Sequence, residues 1–176
     1  LAGNVGVAAY GIAANIFIVV VSIYNGIAQG MQPLASKASG EGNTAVSHSY
    51  LRMALISGAV VSVIVYVCIF ILADPITAVF NSEKDPALQE IAIQGLRLYF
   101  IGCFFAGFNV IKAAYLSAVG ISAPANLISI LRGFAVIIPA ALAMSALWGV
   151  DGLWLSFAAS EFIVSIVSLC INPDRT

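Results

Sequence analysis

The stretch SIYNGIAQGMQPLAS, at Ser22–Ser36, comes after a run from Val5 to Val21 that is almost entirely hydrophobic. A helix turns by about 100° per residue, and at that pitch the polar side chains in and just before this stretch fall within an arc of about 100°. The segment therefore predicts an apolar helix that carries one polar stripe along its length. The stripe consists of Asn15, Ser22, Asn25, Gln29, Gln32 and Ser36.

The composition predicts a membrane protein. Of the 176 residues, 61% are hydrophobic and 9% are charged, and the mean hydropathy is +1.05. A soluble domain carries about 25% charged residues, so this chain has too few to cover a surface that faces water. The formal net charge of −1 and the lack of a basic run give no indication of a nucleic-acid partner.

A helix needs about 20 apolar residues to cross a bilayer, and five stretches reach that length. They predict an all-α polytopic membrane protein. Pro33 and the turn at 40–43 are predicted to stop the first span, Pro75 the second and Pro173 the fifth. The segment between Pro75 and Asp85 predicts a short interfacial helix or a structured loop. The predicted spans are about 5–30, 50–72, 96–118, 124–147 and 149–171.

The basic residues predict the orientation, because cytoplasmic loops carry an excess of Lys and Arg. With five crossings the two termini lie on opposite sides. The side that includes the C-terminus has five basic residues, and the other has two, Lys84 and Arg97. The N-terminus is therefore predicted outside and the C-terminus in the cytoplasm. The five are Lys37, Arg52, Lys112, Arg132 and Arg175.

Two interpretations of the amide stripe remain open at this point. An unsatisfied polar group inside the hydrocarbon layer costs several kcal/mol, so the stripe must face other helices or a water-filled cavity. For any single amide, a hydrogen bond between helices and a place in a cavity wall are equally plausible. The run of amides from the outer to the inner end favours a cavity, because helix association does not need a polar group at nearly every turn.

Glu161 lies near the centre of the fifth predicted span, where a carboxylate by default marks a functional site. The alternative is a structural ion pair, and Arg132 in the fourth span is the candidate partner. Lys112 is at a similar depth and is expected to reach water at the membrane face. Asn109, one turn from Lys112, is expected to face inward.

No pattern indicates an enzyme or a metal site. His48 is the single histidine, and the sequence contains no Ser/His/Asp set, CxxC motif or phosphate-binding glycine loop. Cys68, Cys103 and Cys170 each sit inside an apolar run, which favours small thiols that face apolar surroundings over disulfides or metal ligands.

Several phrases together resemble the MATE family, the multidrug and toxic compound extrusion transporters. Residues 7–43 resemble the first helix and loop of that family's C-terminal half, with G-x-x-Q-G-x-Q-P at 26–33 followed by G-x-G at 40–42. Residues 98–142 are similar to its tenth and eleventh helices, with F-x-G-x-N, A-x-G and an inner Arg. Residues 149–162, GVDGLWLSFAASEF, resemble the last helix.

The resemblance implies helices eight to twelve of a twelve-helix antiporter, which is most of one six-helix bundle. The chain begins at Leu1 with no initiator Met and no signal-peptide pattern, so a longer polypeptide is expected, with the seventh helix and the N-terminal half as the missing partner. Export of cationic or amphipathic drugs from the plasma membrane, coupled to H⁺ or Na⁺ and without a cofactor, is implied. A carboxylate on helix ten, which binds the cation in some branches, has no counterpart between Leu96 and Ala118.

The resulting hypothesis is a cation-coupled multidrug antiporter that works by alternating access. Glu161 and Arg132 are the predicted coupling or buried-charge residues. Two alternatives are a flippase for lipid-linked oligosaccharides or peptidoglycan precursors, and a membrane subunit that transports nothing. The predicted cavity residues are Asn15, Ser22, Asn25, Gln29, Tyr99 and Asn109.

Overall fold

The computed structural model describes residues 3–171, and all regular structure in that range is helical. A 3₁₀ turn at Phe100–Gly102 joins the third helix to the fourth, and a π-helical turn at Leu131–Ala135 leads from the fifth to the sixth. The predicted all-α fold is confirmed. The helices are α1 (Gly3–Gly40), α2 (Thr44–Phe80), α3 (Pro86–Tyr99), α4 (Cys103–Ala118), α5 (Ser122–Ile130) and α6 (Ile137–Cys170).

The structure has four helical segments long and apolar enough to cross a membrane in the range 3–171, where the sequence predicted five. They are α1, α2, the segment 86–118 and the segment 122–170. The count differs because the fourth and fifth predicted spans are joined in one segment of 49 residues with no intervening loop. Gly149 interrupts it, with φ 61° and ψ −131°, a backbone conformation that glycine adopts readily because it has no Cβ.

The chain doubles back at Gly149. Arg132 and Glu161 are 29 residues apart, which corresponds to about 44 Å along a straight helix, yet their side chains are 2.8 Å apart. At the reversal Gly152 lies so close to the Met144 carbonyl that a Cβ there would overlap its oxygen. The residues on either side of Gly149 therefore form two antiparallel arms, which correspond to the fourth and fifth predicted spans.

Neither Pro33 nor Pro75 ends its helix. Pro33 lies inside α1, which continues to Gly40 at the predicted turn, and Pro75 lies inside α2. An internal proline removes one hydrogen bond and bends a helix, but the residues after it can still pair. The separate interfacial helix predicted after Pro75 is instead the C-terminal end of α2, which extends to Phe80. Asp85 caps α3, and its carboxylate accepts from the Ala87 N–H at 2.8 Å. The predicted fifth-span end at Pro173, and Arg175, lie outside the described residues.

The segment 86–118, made of α3 and α4, is the central helix of the bundle. Half of the residues in its most apolar stretch of 18 are buried, whereas in the other three segments the buried share of that stretch is 22% or less. The hydroxyls of Tyr24 on α1 and Ser62 on α2 share a hydrogen bond of 2.8 Å, and they lie 3.2 and 3.3 Å from the Cys103 carbonyl of this segment, to which either can donate. These hydroxyls are therefore satisfied inside the bundle, and the other helices keep outward faces for lipid, water or protein.

Candidate functional site

A buried ion pair joins the two arms of the last segment. The Arg132 Nε donates to both carboxylate oxygens of Glu161 at 3.0 Å, and Nη2 donates to Oε1 at 2.8 Å. The side chains are 19% and 5% exposed, respectively. A guanidinium in this forked geometry forms one of the stronger ion pairs found in proteins. The structural ion pair considered from the sequence is therefore formed.

Asn109 of α4 adds a third helical segment to this pair. Its Nδ2 donates to Glu161 Oε2 at 2.8 Å and to the Glu161 backbone carbonyl at 2.9 Å. The Ser165 hydroxyl lies 3.1 Å from Asn109 Oδ1 and 2.9 Å from the same carbonyl, and its single proton serves one or the other. The charged form of Glu161 is thus held by donors on two neighbouring elements, and Asn109 is fully buried rather than part of an open wall.

Arg132 lies in a π-helical turn, Leu131–Ala135. The Val136 N–H donates to the Leu131 carbonyl five residues earlier, at 3.1 Å, instead of to the residue four back. A π turn inserts one extra residue into a helix and rotates the residues beyond it, and such turns are frequent at functional sites. Arg132 lies within this turn, contacts Glu161 and also lines an adjacent groove.

This groove runs between α1, α4 and α5 and has a volume of about 380 Å³. Among its described lining residues Arg132 alone is charged, and Glu161 neutralises it. The Gln32 amide crosses from α1 and donates to the Ala114 carbonyl at 3.4 Å. The groove therefore offers neutral hydrogen-bonding groups. Its polar lining residues are Asn25, Gln32, Ser117, Asn126, Ser129 and Arg132.

The amide stripe of α1 lies on the surface of the bundle. Asn15 and Ser22 are exposed and donate back to carbonyls of their own helix, at 2.9 and 2.8 Å. Asn25 and Gln29 are also exposed, and within residues 3–171 their side chains make no hydrogen bond. Of these four residues, none connects α1 to another helix of the bundle in the part of the chain that the structure describes.

Tyr99 does not join the polar face. It is 4% exposed, its ring stacks on Phe157 with centroids 4.3 Å apart, and Tyr10 and Phe17 meet it edge to face. Its position at the junction of α3 and the 3₁₀ turn directs it into the aromatic core between α1 and the second arm. The structure therefore places Tyr99 in the core, apart from Asn25 and the groove.

Three lining residues of the groove, Ser117, Asn126 and Ser129, were not predicted from the sequence. A signal for two of them was available, because Asn126, Ser129 and Arg132 come at intervals of three residues and so share one helix face. Ser117 gives no such signal, since its place depends on how α4 packs against α5.

Comparisons with known proteins agree with this fold. The MatE family model matches residues 1–142. The multidrug export protein MepA of Staphylococcus aureus (strain MSSA476) is 24% identical over 169 residues, which are 96% of this chain and 37% of the relative. The chain thus spans about 37% of the length of the curated relatives it matches.

Two solved structures share the fold. An outward-facing multidrug resistance MATE family transporter of the MOP superfamily matches with a TM-score of 0.89 at 18% identity, over 96% of this chain and 38% of that one. An inward-facing multidrug resistance MATE family transporter of the MOP superfamily matches with a TM-score of 0.84 at 18% identity, over 90% of this chain and 37% of that one. At this identity the likeness concerns the fold alone.

Proposed function

We propose, from the premise that this chain belongs to the MatE family, that it forms part of a multidrug efflux transporter. The chain is a multi-pass membrane protein. The observation that carries the proposal is the exposed amide stripe of α1, which continues into the polar groove beside Arg132. Asn15, Ser22, Asn25 and Gln29 would line the path of a small-molecule drug or organic cation.

Energetics support this role for the stripe. An amide that faces hydrocarbon without a partner costs several kcal/mol, and Asn25 and Gln29 have no side-chain partner among residues 3–171. Their face must therefore meet water or another protein surface. The matched relatives are much longer than this chain, so we propose that a second, N-terminal bundle lies opposite and that the space between them is hydrated.

The finer mechanism is also a proposal. Transport would proceed by alternating access of the two bundles in the plasma membrane, driven by H⁺ or Na⁺, with the N-terminus outside and the C-terminus in the cytoplasm. Glu161 is fully engaged by Arg132 and Asn109, so we assign it to holding the bundle together. The coupling carboxylate would then lie in the opposite bundle.

The flippase alternative receives less support from the groove. A site for pyrophosphate needs several uncompensated basic groups, whereas the one Arg described in this groove is paired with Glu161. Neutral hydrogen-bonding walls suit ligands of varied shape and low charge density better than they suit a pyrophosphate.

We expect the double variant Asn25→Leu and Gln29→Leu to export ethidium less well in cells at matched expression. Loss of two hydrogen-bonding groups of about 0.5–1.5 kcal/mol each predicts a roughly tenfold loss of apparent affinity. Its melting temperature in detergent should be unchanged, because both side chains are exposed and make no hydrogen bond that holds the described bundle.

Ser49→Leu is the matched control, an exposed polar position on α2 that bonds its own helix. It should leave both efflux and melting temperature unchanged. A double variant that melts earlier but exports normally would contradict the proposal, because it would show that the amides hold helices together and do not line the drug path.

A further inference from the structure

A second groove, separate from the polar one, lies between α2 and α3. It has a volume of about 520 Å³ and opens on the outside of the bundle. Apolar side chains form most of its wall, yet it contains one basic and one acidic residue, Arg97 and Glu90, both exposed. Its lining residues are Phe70, Glu90, Ile93, Gln94, Arg97 and Leu98.

The depth of these charges fits a lipid headgroup. The segment Pro86–Ala118 is 33 residues long, about 50 Å, and extends about 10 Å beyond each side of a centred 30 Å hydrocarbon core. Arg97 lies about 16 Å from the Pro86 end and Glu90 about 6 Å. Helical side chains lean toward the N-terminus, so Arg97 reaches up to the hydrocarbon boundary and Glu90 lies above it.

The Arg97 guanidinium is oriented for an anion. Its carbon lies 4.9 Å from the centroid of the Phe70 ring, and stacking of this kind uses one face of the planar group while the N–H donors at its edge remain available. Within residues 3–171 no carboxylate forms an ion pair with it. A phosphate at the groove mouth would accept from those donors, with its acyl chains along Phe70, Ile93 and Leu98.

The surrounding charge selects the rest of the headgroup. Glu90 lies on the water side of Arg97, and its side chain forms no hydrogen bond or ion pair in the described part of the chain. Asp74 and Asp151, at the same end of the bundle, are held by Gln89 and Gln94 at 2.7 Å each. Glu90 is thus the one carboxylate among the described lining residues of this groove, and its charge beside the guanidinium disfavours a lipid with net negative charge and favours a cationic group beyond the phosphate.

We propose that this groove binds a zwitterionic phospholipid with a primary ammonium, namely phosphatidylethanolamine. Its phosphate contacts Arg97 and its ammonium donates to Glu90. Phosphatidylcholine carries the same charges, but its trimethylated nitrogen cannot donate a hydrogen bond, so Glu90 distinguishes the two lipids. The proposal depends only on the location of the chain in a membrane and not on its transport activity.

Native mass spectrometry of the full-length protein in detergent, titrated with one lipid at a time, tests this site. Wild type should bind phosphatidylethanolamine about tenfold more tightly than phosphatidylcholine or phosphatidylglycerol. Arg97→Gln should lose that tight binding. Glu90→Gln should keep the affinity for phosphatidylcholine and lose the preference for phosphatidylethanolamine.

Arg52→Gln and Glu83→Gln are matched controls, since both residues are exposed and lie outside the groove. They should bind all three lipids as wild type does. Equal binding of phosphatidylethanolamine by wild type and Arg97→Gln would overturn the site. Tighter binding of phosphatidylglycerol would overturn the assigned headgroup, because it would show that Arg97 acts without Glu90.

Discussion

Arg132→Met should destabilise the folded bundle by about 3–5 kcal/mol, because it leaves the Glu161 carboxylate buried without its counter-ion. The cost is large because Glu161 lies at mid-span and is 4% exposed, so its carboxylate has little contact with solvent of its own. The measurement is thermal or denaturant unfolding of the detergent-solubilised protein. Arg52→Met, at an exposed position of α2, is the control and should unfold as wild type does.

The double variant Arg132→Met and Glu161→Gln tests whether the unpaired buried charge causes the loss of stability. With no charge left to bury, most of the lost stability should return, since buried ion pairs replaced by neutral groups of similar size are often tolerated. Asn109 can still donate to the side-chain carbonyl of the introduced glutamine in place of the carboxylate. A double variant that is stable but exports no drug would show that the pair takes part in transport, against the structural role assigned here.

Gly152→Ala should abolish the folded protein or destabilise it by more than about 3 kcal/mol. A Cβ at this position would overlap the Met144 carbonyl oxygen, a backbone atom that cannot move without opening the reversal. Gly149→Ala, which has open space but a φ of 61°, should cost less, about 1–3 kcal/mol of strain.

Yield after size-exclusion chromatography and the melting temperature would distinguish these cases. Gly11→Ala is the control, since its added methyl meets nothing within 4 Å and lies in ordinary helix. A Gly152→Ala protein with the melting temperature of wild type would mean that the two arms do not reverse as described. The contact between Arg132 and Glu161 would then need another explanation.

Local patterns in the sequence predicted the helical fold and the polar stripe. Asn25 and Gln29 could be placed on one face of α1 from a helical period of about 3.6 residues alone. The prediction that Pro33 and Pro75 end their helices was wrong, because a proline shows where one hydrogen bond is lost and not whether the helix continues after it. The prediction of where a helix ends therefore needs the packing around it.

The ion pair could be proposed but not built from the sequence. Its partners are 29 residues apart, and they meet because the chain reverses at Gly149, while Arg132 lies in a π turn. The reversal was predicted as the boundary between the fourth and fifth spans, whereas the π turn has no distinctive sequence signal. Tyr99 shows the same limit, since an aromatic residue on an apolar helix can line a cavity or fill a core, and tertiary packing decides which.

Reactivity of a cysteine at position 25 toward a water-soluble maleimide tests the hydrated drug path most directly. In a background without Cys68, Cys103 and Cys170, we predict that Asn25→Cys reacts rapidly, because thiolates form only where water has access, and that ethidium slows the reaction. Val63→Cys, on an exposed apolar face of α2, should react little. An Asn25→Cys variant as unreactive as Val63→Cys would place the stripe against lipid or protein and contradict a hydrated drug path.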